Sequence, residues 1–249
     1  MDDNRPYLSV VIPAYNEGER IITTLEHLRS YLKSRKLTGE VLIVDDGSSD
    51  NTAEIVQKIS QEYPFIKLLQ YGDNRGKGYA VRYGMTRAAG KYVLFADADG
   101  STPFKEFDDF RKAFQEGNDV VIGSRYIKGS DVKVKQPILR RILSRIANKI
   151  IQIVILWGIK DTQCGFKAFT NEAAKDIFNQ VTIDRWGFDM EVLVIARKRG
   201  YKVVEDAVTW TNSADSRLKF VGDTRQTIHD LYLIKTNSLK GKYDAKEQA

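Results

Sequence analysis

Two carboxylates, Asp97 and Asp99, follow the apolar run 91–96 (KYVLFA) with only Ala98 between them. Residues two apart on an extended segment project to the same side, so both acids can converge on one cation. Hard divalent ions such as Mg²⁺ or Mn²⁺ take oxygen ligands and are commonly held by one or two carboxylates plus substrate phosphate oxygens, which points to a diphosphate ligand. Taken alone, the pair reads more readily as a turn ahead of Gly100. A second acidic pair, Asp45-Asp46, closes the run 40–44 (EVLIV), and Pro13-Ala14-Tyr15-Asn16-Glu17 closes the run 7–12 (YLSVVI). A nucleobase needs an acceptor for its ring N–H and a flat surface to lie against; Asp45 and the Pro13/Tyr15 pair offer both. Each segment by itself is also good turn and helix-cap material. Ahead of a helix, Asn74-Arg75-Gly76-Lys77-Gly78 combines glycines with two cations, which suits close approach to a diphosphate, but its spacing is neither a P-loop nor a dinucleotide fingerprint.

These clusters need a frame that sets them on one edge. Strands are predicted at 7–12, 40–44, 66–70, 91–96 and 119–123, and helices at about 18–35, 52–62, 78–89 and 104–115. Buried strands alternating with amphipathic helices give an α/β fold, a mainly parallel sheet with helices on both faces and ligands beyond the carboxyl ends of the strands. The acidic pairs fall at two such ends. The whole of 1–239 is taken as one domain, with a frayed tail over 240–249.

The chain has 249 residues, 42% hydrophobic and 29% charged, which is enough for a sizeable core and argues against disorder. Cys164 is the sole cysteine, so an internal disulfide and a Cys-based zinc site are excluded. The start of the chain lacks a basic, then apolar, leader, and a cytoplasmic location is expected. The formal charge of +6 has a local source: Lys133, Lys135, Arg140, Arg141, Arg145, Lys149 and Lys160 are interleaved with Ile, Leu and Val. Over about 137–158 this reads as a basic amphipathic helix, with Ile138, Leu139, Ile142, Leu143, Ile146, Ile150, Ile153, Val154 and Trp157 on one stripe. Its apolar part is far shorter than a bilayer span, so it either lies on a membrane surface or buries against the sheet. Nucleic acid is disfavoured, because paired carboxylates at strand ends repel a phosphate backbone and no aromatic-interleaved basic motif is present.

In order, Pro13–Glu17, Val44–Ser48, Asn74–Gly78, Asp97-Ala98-Asp99 and Gly123-Ser124-Arg125-Tyr126 resemble the motifs of family 2 glycosyltransferases of the GT-A fold. Asp161–Lys167 and Arg185–Glu191 resemble the polyprenyl-phosphate sugar synthases, in particular those that load glucose onto dolichyl phosphate. The resemblance spans about 7–220. It implies an inverting, metal-dependent transfer of glucose from UDP-glucose to dolichyl or another polyprenyl phosphate by a protein peripheral on the cytosolic membrane face. Alternatives are mannose from GDP-mannose, or a glycan or protein hydroxyl acceptor. It also implies that Pro13, Tyr15, Glu17 and Asp45 hold the nucleoside, and that Arg75, Lys77 and Ala98 lie by the diphosphate or sugar. Asp97 and Asp99 would hold Mg²⁺ or Mn²⁺. Mannose-transferring relatives place a metal-touching Gln two residues past the second acid; here that position is Ser101, with a water as the alternative ligand. Arg125, Arg140, Arg141, Arg217 and Lys219 are the candidates for the acceptor phosphate, Arg125 with a direct part in catalysis. Thr182 replaces the Gln that precedes Arg-Trp in polymer-exporting members, so processive synthesis is not expected.

Overall fold

The computed structural model describes residues 5–133, 148–211 and 220–244. Its frame is a seven-stranded sheet built from β1 (Leu8–Ala14), β2 (Gly39–Asp45), β3 (Ile66–Gln70), β4 (Tyr92–Ala96), β5 (Val120–Ser124), β7 (Phe166–Thr170) and β8 (Val203–Ala207). The strand order is β3-β2-β1-β4-β7-β5-β8. All neighbours run parallel except β7, which is antiparallel to β4 on one side and to β5 on the other. Two short strands, β6 (Asp131–Val132) and β9 (Thr209–Trp210), pair separately.

Helices α1 (Gly18–Arg35), α2 (Thr52–Glu62) and α4 (Phe107–Gln115) cover one face, and α3 (Lys77–Met85), α6 (Asn171–Phe178) and α7 (Phe188–Lys198) the other. Side chains alternate across the sheet, so Val11, Phe95 and Phe169 fill one core while Val10, Ile12, Leu94 and Phe166 fill its opposite. Helix α1 stops at Lys36, whose left-handed φ of 52° lets its own N–H and that of Leu37 reach the last-turn carbonyls. After β3 the chain returns through α3 to place β4 beside β1. This reversal opens a crevice beyond the carboxyl ends of β1, β2 and β4, where ligands of open α/β sheets sit. Ala14 pairs with Asp45 and Val11 with Phe95, which sets the three strand ends level.

Of the expected helix at 137–158, the stretch 148–154 (α5) is helical; Arg140 and Arg141 lie outside the described residues, as do Arg217 and Lys219. The described part of the apolar stripe is not buried against the sheet. Ile150, Ile153, Val154 and Trp157 are exposed, Trp157 at 73%, while Ile151 and Leu156 take the inward positions. Helix α8 (Phe220–Leu239) packs Leu231 and Ile234 into the α7 side of the core. The tail expected to fray from Lys240 instead returns Tyr243 to the core, 1% exposed, where its hydroxyl donates to Glu191 Oε1 at 2.7 Å.

Candidate active site

The loops after β1 and β2 are tied together by side chains. Asn16, at φ 54°, accepts from Ser49 N (2.7 Å) through Oδ1 while its own N–H donates to Ser48 Oγ (2.9 Å). The N-terminus of α1 is closed by the second loop: Glu17 N donates to Thr52 Oγ1 (2.8 Å) and Gly18 N to Asp50 Oδ2 (3.1 Å). Asp45, 3% exposed, accepts from the backbone and hydroxyl of Ser48, and Gln70 Nε2 approaches its other oxygen at 3.4 Å. Pro13 is partly buried, Tyr15 keeps 41% of its surface open, and Arg20 grips the Glu17 carboxylate from Nε and Nη2 at 2.7 and 2.8 Å. These four residues stand together at one end of the crevice.

Asp46, which the sequence presents as turn material, organises the next loop. Its carboxylate accepts from Arg75 N (2.7 Å), Gly76 N (2.9 Å) and the Tyr71 hydroxyl (2.9 Å), while its carbonyl accepts from Asn74 Nδ2. The Arg75 side chain leaves the crevice: its guanidinium stacks 3.7 Å from the Tyr79 ring and Nη1 donates to the Tyr79 hydroxyl. Lys77 points the other way. Its Nζ lies 2.6 Å from Asp97 Oδ1, with the rings of Trp186 and Phe95 at 5.0 and 5.3 Å. Burial pushes the Lys77 ammonium down, but the charges of Asp97, Asp189 and Asp99 outweigh it and hold the group above the ordinary lysine range. Burial, with Asp99 and Asp189 adding to it, pushes the Asp97 carboxyl up, and Lys77 only partly opposes this. The acids therefore form a seat that favours additional positive charge.

Around that seat the backbone is fixed. Asp97 N donates to Gly165 O at 3.1 Å, and Thr24 Oγ1 donates to Ala98 O at 2.7 Å. Asp99 Oδ1 accepts from Ser101 N at 2.9 Å. Ser101 Oγ is buried with no hydrogen-bond partner, Asp97 Oδ1 is buried with the Lys77 ammonium against it, and both residues line one cavity of about 10 Å³ closed by Gly165 and Trp210. Buried polar oxygens are rarely left unmatched, and this space holds one water-sized occupant. The donor set, carboxylate and hydroxyl oxygens, fits a hard divalent ion with its water.

Gly165 makes room for the seat, since a Cβ there would lie 1.9 Å from Asp97 Oδ2. Gly165→Ala is expected to displace that carboxylate and lower kcat about a hundredfold in a transfer assay, a misplacement effect of the usual size; a variant within threefold of the parent would overturn this.

The guanidinium of Arg125 is engaged by Asp161. Its Nε and Nη2 donate to Asp161 Oδ2 and Oδ1 at 2.7 and 2.9 Å, and its backbone N–H donates to Oδ2 as well. The fork that a phosphate would need is taken by a carboxylate with no exposed surface. Arg125 instead ties the end of β5 to the segment that carries Gly165. Asp189 is ion-paired with buried Lys167, which also donates to Cys164 O. Glu191 accepts from Thr182 N, Thr182 Oγ1, Ile183 N and Tyr243, so it holds the 182–183 turn rather than serving as a base. Burial pushes the Cys164 thiol up to about 12, which leaves it unreactive.

A family model described as "Glycosyl transferase family 2" matches residues 9–178, from β1 through α6. The chain belongs to glycosyl transferase family 2. Within this family it is 40% identical over 252 residues to a dolichyl-phosphate beta-glucosyltransferase of Dictyostelium discoideum, covering 96% of this chain and 77% of that protein. The Saccharomyces cerevisiae protein of the same name is 35% identical over 260 residues, covering 97% of this chain and 78% of its own length. Among solved structures, glucosyl-3-phosphoglycerate synthase of Mycobacterium tuberculosis with Mn²⁺ and UDP-glucose superposes at a TM-score of 0.67 with 17% identity, over 94% of this chain and 80% of that one. Mannosyltransferase PcManGT from Pyrobaculum calidifontis with GDP-Man and Mn²⁺ gives a TM-score of 0.62 at 21% identity, over 98% of this chain and 66% of that one. The fold is GT-A, and the enzyme is a glycosyltransferase.

Proposed function

We propose that this family 2 glycosyltransferase moves glucose from UDP-glucose to dolichyl or another polyprenyl phosphate, with inversion at the anomeric carbon. The observation that carries the reading is the crevice edge itself, with a nucleoside end at Asp45 and a cation seat at Asp97, Asp99 and Ser101 on level strand ends. The names of its relatives in Dictyostelium and yeast support the same donor and acceptor. Asp45 accepts the base N–H, Pro13 and Tyr15 supply the flat contact, and Arg20 orients Glu17 beside them. Asp97 and Asp99 hold Mg²⁺ or Mn²⁺, with the Ser101 hydroxyl or its water completing the set. When bound, such an ion neutralises the charge that develops on the departing diphosphate. Lys77 adds a second positive charge at the same point.

A lipid monophosphate has a second pKa of about 6 and reaches the site already ionised. No general base is then needed, in keeping with the occupied states of Asp189 and Glu191. The acceptor phosphate is assigned to Arg140, Arg141, Arg217 and Lys219. The test is transfer of radiolabel into polyprenyl phosphate in detergent, with UDP-glucose and GDP-mannose in parallel and a chelator control. Chelator-sensitive label from UDP-glucose in the lipid is the expected result; label from GDP-mannose alone, or no lipid product, overturns the reading.

A lipid acceptor also asks for a membrane-facing surface, and no helix among the described residues is long and apolar enough to cross a bilayer. The exposed Ile150, Ile153, Val154 and Trp157, with Lys149 6.0 Å above the Trp157 ring, form a patch suited to lie in the interface on the cytosolic side. Side chains of this size each contribute roughly 1.5 to 3 kcal/mol when taken out of water, so Ile153→Asp with Trp157→Glu is expected to weaken vesicle binding at least about tenfold. Co-sedimentation with anionic vesicles measures it, and unchanged binding removes the patch as the anchor.

A further inference from the structure

The ammonium of Lys77 rests on the acid that a divalent ion would use. It lies 2.6 Å from Asp97 Oδ1, an oxygen that no other group partners. Backbone movement cannot relocate it. Gly76 holds a φ of 102°, and a Cβ there would lie 2.5 Å from Asp184 O; at Gly78 it would lie 2.5 Å from Ile183 O, so the chain on both sides of Lys77 is in van der Waals contact with the 183–185 segment. The side chain can move, since its methylenes rotate freely and 19% of it is open to the crevice, as is 32% of Asp97. Asp189 is engaged by Lys167 and Asp99 accepts from Ser101 N, so Asp97 is the acid that the ammonium touches. A cation on either oxygen of Asp97 would lie within a few ångströms of the ammonium on Oδ1 and be repelled by it, so the two compete for one carboxylate.

We propose that Lys77 is the counter-ion of Asp97 until the donor binds, and that it yields Asp97 to the divalent ion only when a nucleoside diphosphate arrives to receive the ammonium. This rests on the reading of Asp97 as a metal ligand. The consequence is an order of binding: the ion enters with the donor, as its diphosphate chelate, and not ahead of it. The empty enzyme thereby keeps its acids neutralised without holding an ion.

The experiment is Mn²⁺ binding followed by loss of the free-ion electron paramagnetic resonance signal, with and without UDP, in the parent and in Lys77→Met, Lys77→Arg and Asp97→Asn. The parent is expected to bind Mn²⁺ weakly alone and much more tightly with UDP. Lys77→Met, which removes the competitor, is expected to bind Mn²⁺ alone about tenfold more tightly and to lose most of the enhancement by UDP, a coupling of ordinary size. Lys77→Arg keeps the charge and should behave as the parent; if the Met variant melts early, Lys77→Gln replaces it. UDP-dependent Mn²⁺ binding in the parent with no gain in either neutral variant overturns the counter-ion role and leaves the metal site standing. Mn²⁺ binding that survives Asp97→Asn, or that is absent from the parent even with UDP, overturns the metal-site reading and the proposal together.

Discussion

Asp97→Asn is expected to abolish transfer, lowering turnover on the order of a thousandfold, while the protein remains folded. The substitution keeps the shape of the side chain and its backbone N–H to Gly165 O, and removes only the charge that a divalent ion needs. Stability should change little. The amide oxygen can still accept from the Lys77 ammonium, and Asp99 and Asp189 remain nearby to balance its charge. A thermal midpoint within about 4 °C of the parent is expected. Retention of more than about a tenth of the turnover would remove Asp97 from the catalytic apparatus, and a purely altered donor affinity would confine it to donor binding.

The largest effect on stability is expected from Asp161→Asn. Arg125 is 19% exposed and Asp161 0%, and the two share a bidentate contact plus a backbone N–H. Removing one partner of such a buried pair leaves the other charge uncompensated and costs about 3 kcal/mol or more, which for a chain of this size lowers the midpoint by roughly 6 to 12 °C. Burial pushes the Asp161 carboxyl up, but the Arg125 charge and hydrogen bonds outweigh it and hold the group below the usual range. The pair's contribution is therefore complete above the unfolded-state carboxylate range and is lost as pH falls through the lower folded-state value. Denaturant melts across that acid window should show the parent losing this increment and Asp161→Asn lacking it throughout. Arg125→Met combined with Asp161→Leu should be milder than the single change, because no charge is stranded. A single variant as stable as the parent would show that the pair holds nothing in place.

Much of this was written in the sequence. The five N-terminal strands and the helices between them follow from continuous β-branched runs and 3.6-residue spacing, and α1 and α2 have the limits that their patterns predict. Asp97, Asp99 and Asp45 were legible because strand ends and carboxylates coincide. What the sequence hid is of another kind. Strand β7 reads FKAFT, with Lys167 in its middle, and a charge in a strand that is buried throughout becomes intelligible only when Asp189 is seen beside it. Arg125 looked available for a phosphate because its partner is 36 residues away. Asp46 looked like turn chemistry because backbone N–H groups, which carry no sequence signal, are what it binds.

The reversed direction of β7 has a consequence for the order in which the enzyme comes into being on the ribosome. Because β7 runs against β4, it is the beginning of the later strand, not its end, that lies beside Asp97, and Ala96 pairs with Phe166. A nascent chain that has released β1 to β5 already carries every acid of the cation seat, but β4 and β5 still lack the strand that joins them. Asp97 then has neither the Gly165 carbonyl to fix its backbone nor the wall that closes its cavity. The first five strands can form early; the closed surroundings of Asp97 wait for a segment made about forty residues later, and until then the two strand edges that β7 will fill stand open to pairing with other chains.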